Sequence, residues 1–137
     1  MDEQGNKALV VSYWQRAWNE HDLGALDETH APWFAQNGVA IGVHKFRESM
    51  TEFLRSFPDM RVTIEDLIAV QDKVLARVTY SGTHLGDYRG IPPTRRAISV
   101  TGLELFLVGD GRIVQHWHET DHLGILEQIG CTVAPPA

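Results

Sequence analysis

The residues with chemistry to offer are two carboxylates, Glu104 and Asp121, the imidazole of His84, and a pair of histidines, His116 and His118, with His122 close behind. Asp121 falls where a final strand hands over to a last helix. Aspartate is a favoured helix N-cap, and Leu123 opens an apolar stripe just after it, so capping is one reading. A general acid/base at a strand end is the other, and the two coexist only if the carboxylate oxygens divide the work. Glu104 stands in a long strand whose even positions are Ile98, Val100, Gly102, Glu104, Phe106 and Val108. The odd positions are Ser99, Thr101, Leu103, Leu105 and Leu107. Both sets are fairly apolar, so parity alone leaves two options: Glu104 among apolar neighbours, or Glu104 on the surface opposite a basic partner. His84 follows Val78, Tyr80 and Gly82 on one strand face. It is read either as a group for a developing oxyanion or as an imidazole satisfied by backbone. His116 and His118 share a strand face, and two histidines plus a carboxylate are a zinc or iron set. No third ligand has a convincing position, so no metal is expected. Cys131 has no base partner, and the chain carries no phosphate-cradling glycine loop, G-x-S-x-G elbow or C-x-x-C pair.

The elements that must position these groups follow from hydrophobic period. Leu9, Val10, Tyr13, Trp14, Ala17 and Trp18 make one helix face, after a polar segment 1–7 expected to fray. Asp22 is placed to cap a second short helix with Leu23 and Leu26 inward, and Ala31-Pro32 ends it. Residues 31–43 read as loop or short strand. Phe46, Met50, Phe53, Leu54 and Phe57 form a third helical stripe closed by Pro58-Asp59. The period then becomes two: Met60 to Val70, Val74 to Tyr80, Ile98 to Val108, and Arg112 to Glu119, with turns at Gln71-Asp72-Lys73 and Gly109-Asp110-Gly111. A last short helix holds Leu123, Leu126 and Ile129. Helices first and a meander of antiparallel strands after them predict an α+β fold, a single domain with an ordered core of about 9–130. The helical stripes are rich in Tyr13, Trp14, Trp18, Phe46, Phe53 and Phe57, and a few polar residues point the same way from the strands. That is the composition of an apolar pocket with convergent polar groups.

Bulk properties narrow the function classes. Of 137 residues, 43% are hydrophobic and 22% charged, enough for a core without staples, and the formal net charge is −6. No basic stripe invites nucleic acid, and an acidic surface gives no help with anionic substrates, so a neutral or weakly polar ligand is favoured. One cysteine rules out an internal disulfide and fits a reducing, cytoplasmic compartment. No signal peptide or membrane span is read from the chain.

Gly82-Thr83-His84-Leu85-Gly86, Gly90-Ile91-Pro92-Pro93-Thr94, Asp110-Gly111-Arg112-Ile113-Val114 and the run Asp121 to Gly130, with Phe57-Pro58-Asp59 ahead of the first long strand, together resemble the SnoaL-like polyketide cyclase (ester cyclase) family. The resemblance spans about Leu9 to Gly130. It implies the cone-shaped fold of nuclear transport factor 2 and ketosteroid isomerase, a bent sheet closed by three helices around an apolar pocket, often as homodimers or homotetramers. It also implies a cofactor-free intramolecular aldol condensation on a polyketide ester, as in antibiotic biosynthesis. The family's general base, then acid, falls on Asp121 and a pocket histidine on His84; Glu104, by its own place in the strand, is a further candidate acid. Substrate contacts are expected from Trp14, Trp18, Phe57, Tyr80, Gly102, Phe106, Trp117 and His118. The family's pocket glutamine and histidine correspond to Gly102 and Glu104, which supports the even face as inward and changes the polar equipment. An isomerase, an epoxide hydrolase, an accessory hydroxylase or a non-catalytic binding domain on the same fold are the alternatives.

Overall fold

The structure, a computed structural model, describes residues 2–137. Helix α1 (Glu3–Tyr13) continues directly into a π-helical turn, Trp14–Asn19. A 3-10 turn (Leu23–Ala25) leads to α2 (Leu26–Thr29), β1 (His30–Gln36), β2 (Val39–Ala40) and the long α3 (Gly42–Ser56). Four strands follow, β3 (Arg61–Val70), β4 (Lys73–Thr83), β5 (Ala97–Gly109) and β6 (Arg112–Thr120), and α4 (His122–Gln128) comes last. The six strands form one curled, unclosed sheet in the order β2-β1-β6-β5-β4-β3. Neighbours are antiparallel except β1 and β6, which run parallel. The helices lie against one face of this sheet, α1 on β3 and β4 and α3 on β1.

The first turn of α1 is ordered, contrary to the expectation that residues 1–7 fray. Asp2 caps it, its Oδ1 accepting from the Gly5 N–H at 2.8 Å. Two further polar residues then tie it to the distant β3–β4 turn: Glu3 Oε2 accepts from the Gln71 N–H at 2.7 Å, and Asn6 Nδ2 donates to the Gln71 carbonyl at 3.1 Å. Polar side chains that look solvated in sequence are here the partners of turn backbone, which must be satisfied somewhere. A second difference lies at Asp22. Its side chain makes no capping bond and instead faces Arg16 Nη2 at 3.6 Å. The segment 31–43 supplies two strands, β1 finding its long-range partner in β6.

The π-helical turn also escaped the periodicity reading. It closes with the Glu20 N–H on the Gln15 carbonyl at 2.9 Å, five residues back. A turn of that width brings positions five apart onto one line. Tyr13 and Trp18 are so related, and the Trp18 indole N–H donates to the Tyr13 hydroxyl at 2.9 Å.

Along β5 the even positions are the buried ones, Glu104 included. The hairpin turn to β6 is two residues, Asp110 and Gly111, at φ of 49° and 76°. Both left-handed positions match the twist of an antiparallel pair, which fixes the register of β6 against β5. Among the described residues no helix is long and apolar enough to cross a membrane.

Candidate active site

The register brings three side chains together. On β4, β5 and β6 the pairs are Ala76↔Glu104↔His118 and Val78↔Gly102↔Thr120, with Tyr80 opposite Val100 and His116 opposite Phe106. His116 is therefore a diagonal neighbour of Glu104 on one side, and Tyr80, four positions along β4 from Ala76, reaches it from the other. The Tyr80 ring reaches Glu104 by lying across Gly102. A Cβ on Gly102 would sit 2.9 Å from Tyr80 Cε2, closer than carbon atoms pack. The glycine is thus the space through which the phenol hydroxyl donates to Glu104 Oε1. His116 is held by stacking on Phe106, with centroids 4.3 Å apart and planes at 15°. Its Nε2 meets Glu104 Oε2, while Nδ1 is buried with no partner. An unpaired lone pair costs less than an unpaired N–H, so the imidazole proton belongs on Nε2, donated to the carboxylate. Glu104 is 1% exposed and has two donors on it, and a carboxylate has further lone pairs to offer.

These groups form the floor of a cavity of about 130 Å³. Its walls are aromatic and apolar: Tyr13, Trp18, Phe46, Met50 and Phe53. Gln36, Ser49, His118, Thr120 and His122 add polar atoms. Burial and the nearby carboxylate of Glu104 raise the Tyr80 hydroxyl well above a phenol's ordinary value, so it stays protonated and remains a donor. Tyr13 is raised for the same reasons. Burial lowers His118 and His122, which favours the neutral imidazole at the cavity wall.

Of the residues singled out from sequence, Glu104, Tyr80, Trp18 and His118 line this cavity. Trp14, Phe57 and Phe106 are wholly buried in the core behind it, Trp14 standing edge-on to Phe106 at 5.1 Å. Gly102 lies beneath the Tyr80 ring. Trp117 is on the opposite face of the sheet, beside Leu75, Leu103 and Leu105. His84 is fully buried outside the cavity, packed on Phe57 at 5.6 Å, and its Nδ1 accepts from the Thr94 N–H at 3.1 Å. It binds the loop after β4 back onto its own strand.

Asp121 is exposed and belongs to a shallow depression on the outer side, with Arg77, Thr101 and Glu119. Its Oδ1 accepts from the Gly124 N–H at 2.8 Å, capping α4. The carboxylate lies so close over Gly124 that a Cβ there would be 2.3 Å from Oδ2. Asp121 and Gly124 thus act together as a cap. Sequence reasoning had paired His116 with His118 on one face without seeing its partner. Tyr13, Phe46, Met50 and Phe53 were visible as helical stripes, whereas Gln36 and Ser49 gave no signal. Among the described residues no three His, Cys, Asp or Glu side chains converge as metal ligands.

The SnoaL-like polyketide cyclase profile matches residues 8–129. The chain belongs to the SnoaL-like polyketide cyclase family. Solved structures agree. TsrD from Streptomyces laurentii is 32% identical, with a TM-score of 0.88 over 96% of this chain and 99% of that one. AclR from Streptomyces galilaeus, a candidate hydroxylase, is 26% identical, with a TM-score of 0.87 over 98% and 87%. IdmH from Streptomyces antibioticus, a candidate polyketide cyclase, is 29% identical, with a TM-score of 0.83 over 92% and 99%. No curated protein matches the sequence significantly. This SnoaL-like chain thus shares the nuclear transport factor 2-like fold of its neighbours, and the family association points to small polyketide-like substrates.

Proposed function

We propose that this chain is an enzyme that moves a proton at carbon in a polyketide-like carbonyl substrate and so closes a ring by an intramolecular aldol-type addition, with Glu104 as the acid/base. The observation that carries this reading is the position of Glu104: a carboxylate on the floor of an apolar cavity, held from two sides by Tyr80 and His116. The carboxylate takes a proton from a carbon next to a carbonyl. The electron pair of that C–H bond becomes the enolate. Glu104 is then neutral, and the Tyr80 O–H, its ring fixed over Gly102, rotates its hydrogen from the carboxyl to the enolate oxygen. The enolate carbon bonds to a second carbonyl carbon of the same molecule, and the alkoxide so formed takes the proton back from Glu104. The aromatic walls hold the two carbons together, replacing activation entropy with binding.

The test uses a simple carbon acid, phenylacetone, in D2O. Wild-type protein should accelerate deuteration of the benzylic carbon, followed by proton NMR. Glu104→Gln should lose about 10²–10⁴-fold of that rate with its melting temperature kept. Tyr80→Phe should lose about 10²-fold. A Glu104→Gln protein that exchanges at the wild-type rate, or a wild type no faster than buffer, overturns the assignment.

A further inference from the structure

From its size and its continuation toward solvent, we infer that the inner cavity takes a single six-membered ring bearing an oxygen substituent, and that the rest of the substrate lies in a second, polar groove outside it. The inference rests on the reading of this cavity as the substrate site. A void of about 150 Å³ in a protein core holds one benzene molecule, and the cavity over Glu104 measures about 130 Å³. One ring fills that volume, and a second has to extend toward the opening at Ser49, Phe53 and His122. The walls are also not free to part. Trp18 is hydrogen-bonded to Tyr13 and stands edge-on to both Phe53, at 5.9 Å and 87°, and Tyr80, at 6.1 Å and 77°. Tyr80 in turn is seated over Gly102 and bound to Glu104. Widening the cavity means breaking several of these contacts together.

The cavity has a way out. A groove of about 590 Å³ adjoins it and shares Ser49, Phe53 and His122 with its lining. His122 marks the junction, its Nδ1 3.3 Å from the Tyr88 hydroxyl. Beyond that point the surroundings change character. Arg55, Glu52, Asp87 and Arg89 line the groove, two cations and two anions. Such a lining suits an oxygen-rich, neutral tail better than a strongly charged one. The substrate class is then a monocyclic ring with an oxygenated side chain, the ring reaching Glu104 and the chain passing His122. A fused polycycle placed broadside over Glu104 would have to part Trp18 from Tyr13 and Phe53.

Binding of three phenols to the full chain, measured by titration calorimetry, tests this. Phenol should bind saturably. 4-Phenylphenol should bind about tenfold or more tighter, because its second ring reaches only the mouth of the groove, where Phe53 and Tyr88 offer aromatic surface ahead of the charged side chains. 9-Phenanthrol, whose hydroxyl sits on the central ring of three, should show no saturable binding. Ser49→Trp, which fills the junction from an exposed helix position, should cut the 4-phenylphenol to phenol affinity ratio by about tenfold. Binding of 9-phenanthrol as tight as that of 4-phenylphenol overturns the size limit. A 4-phenylphenol affinity below that of phenol, or an affinity ratio unmoved by Ser49→Trp, overturns the outer groove. Absence of any phenol binding overturns the inference altogether. None of these measurements needs turnover, so the size order reports the cavity while deuterium exchange in Glu104→Gln reports the chemistry.

Discussion

The Tyr80 ring occupies the place where a side chain at position 102 would stand: a Cβ on Gly102 would lie 2.9 Å from Tyr80 Cε2 and 3.4 Å from Val78 Cγ2. Two residues on neighbouring strands thereby share one volume. The smaller one decides where the larger one's hydroxyl points.

Gly102→Ala should therefore damage the site more than the fold. The added methyl pushes the Tyr80 ring off its path, at a cost typical of overpacking, about 1–3 kcal/mol. It also withdraws the hydroxyl from Glu104, so exchange at carbon should fall toward the Tyr80→Phe level. Denaturant unfolding and the phenylacetone assay on the same preparation check this. An alanine variant with wild-type exchange would show that the Tyr80–Glu104 contact plays no part.

Asp121 is expected to matter for stability alone. Asp121→Ala removes the α4 cap and should cost about 0.5–2 kcal/mol. Asp121→Asn keeps an oxygen for the Gly124 N–H and should be close to wild type in both melting temperature and exchange. Loss of exchange in a stably folded Asp121→Asn protein would move the base from Glu104 to Asp121.

His30 gives the protein an acid-sensitive core. It is wholly buried with its Nε2 unpartnered, Thr29 Oγ1 at 2.8 Å from Nδ1, and rings of Tyr13 and Phe34 each at 4.8 Å. Burial, with the imidazole of His116 adding to it, pushes its pKa down to about 3. The unfolded chain takes up that proton near pH 6.5, the folded one only near pH 3. Below pH 6.5 the unfolded state thus binds more protons, and stability falls as pH falls through this window. The slope contributed approaches about 1.4 kcal/mol per pH unit. His30→Asn, which keeps a polar atom for Thr29, should be less stable at pH 7 but lose less on acidification. Parallel stability curves for the two proteins between pH 6.5 and 4 would remove His30 as the cause.

Much of the architecture was open to the sequence because its signals are local. The period-two runs gave β3 to β6, the Asp110-Gly111 pair gave the β5–β6 turn, and the stripe from Phe46 to Phe57 gave α3. A one-residue choice of parity decides a whole strand, and in β5 both parities are apolar. The family resemblance favoured the even side, and the packing of α1 and α3 on one side of the sheet covers it, which puts Glu104 inside. The same holds at the N-terminus. Asn6 and Glu3 read as solvated until the β3–β4 turn arrives beside them from more than sixty residues away.

The sequence by itself determined which residue types were available to the site: two carboxylates, a cluster of histidines and a surplus of aromatic rings on helical stripes. It also placed Asp121 at a helix start, where capping and catalysis look alike, because both need a carboxylate at the end of a strand. The tertiary structure separated the positions of the two carboxylates. Side-chain direction at Asp121 is set by the Gly124 N–H within its own turn, and the carboxylate stays outside. At Glu104 it is set by the curl of three strands, and the carboxylate goes in. His116 entered the site for the same reason, through a register that spans the hairpin and a stacking partner, Phe106, on another strand. A contact of that kind depends on the distance between strands in space, which a linear pattern of residues does not encode.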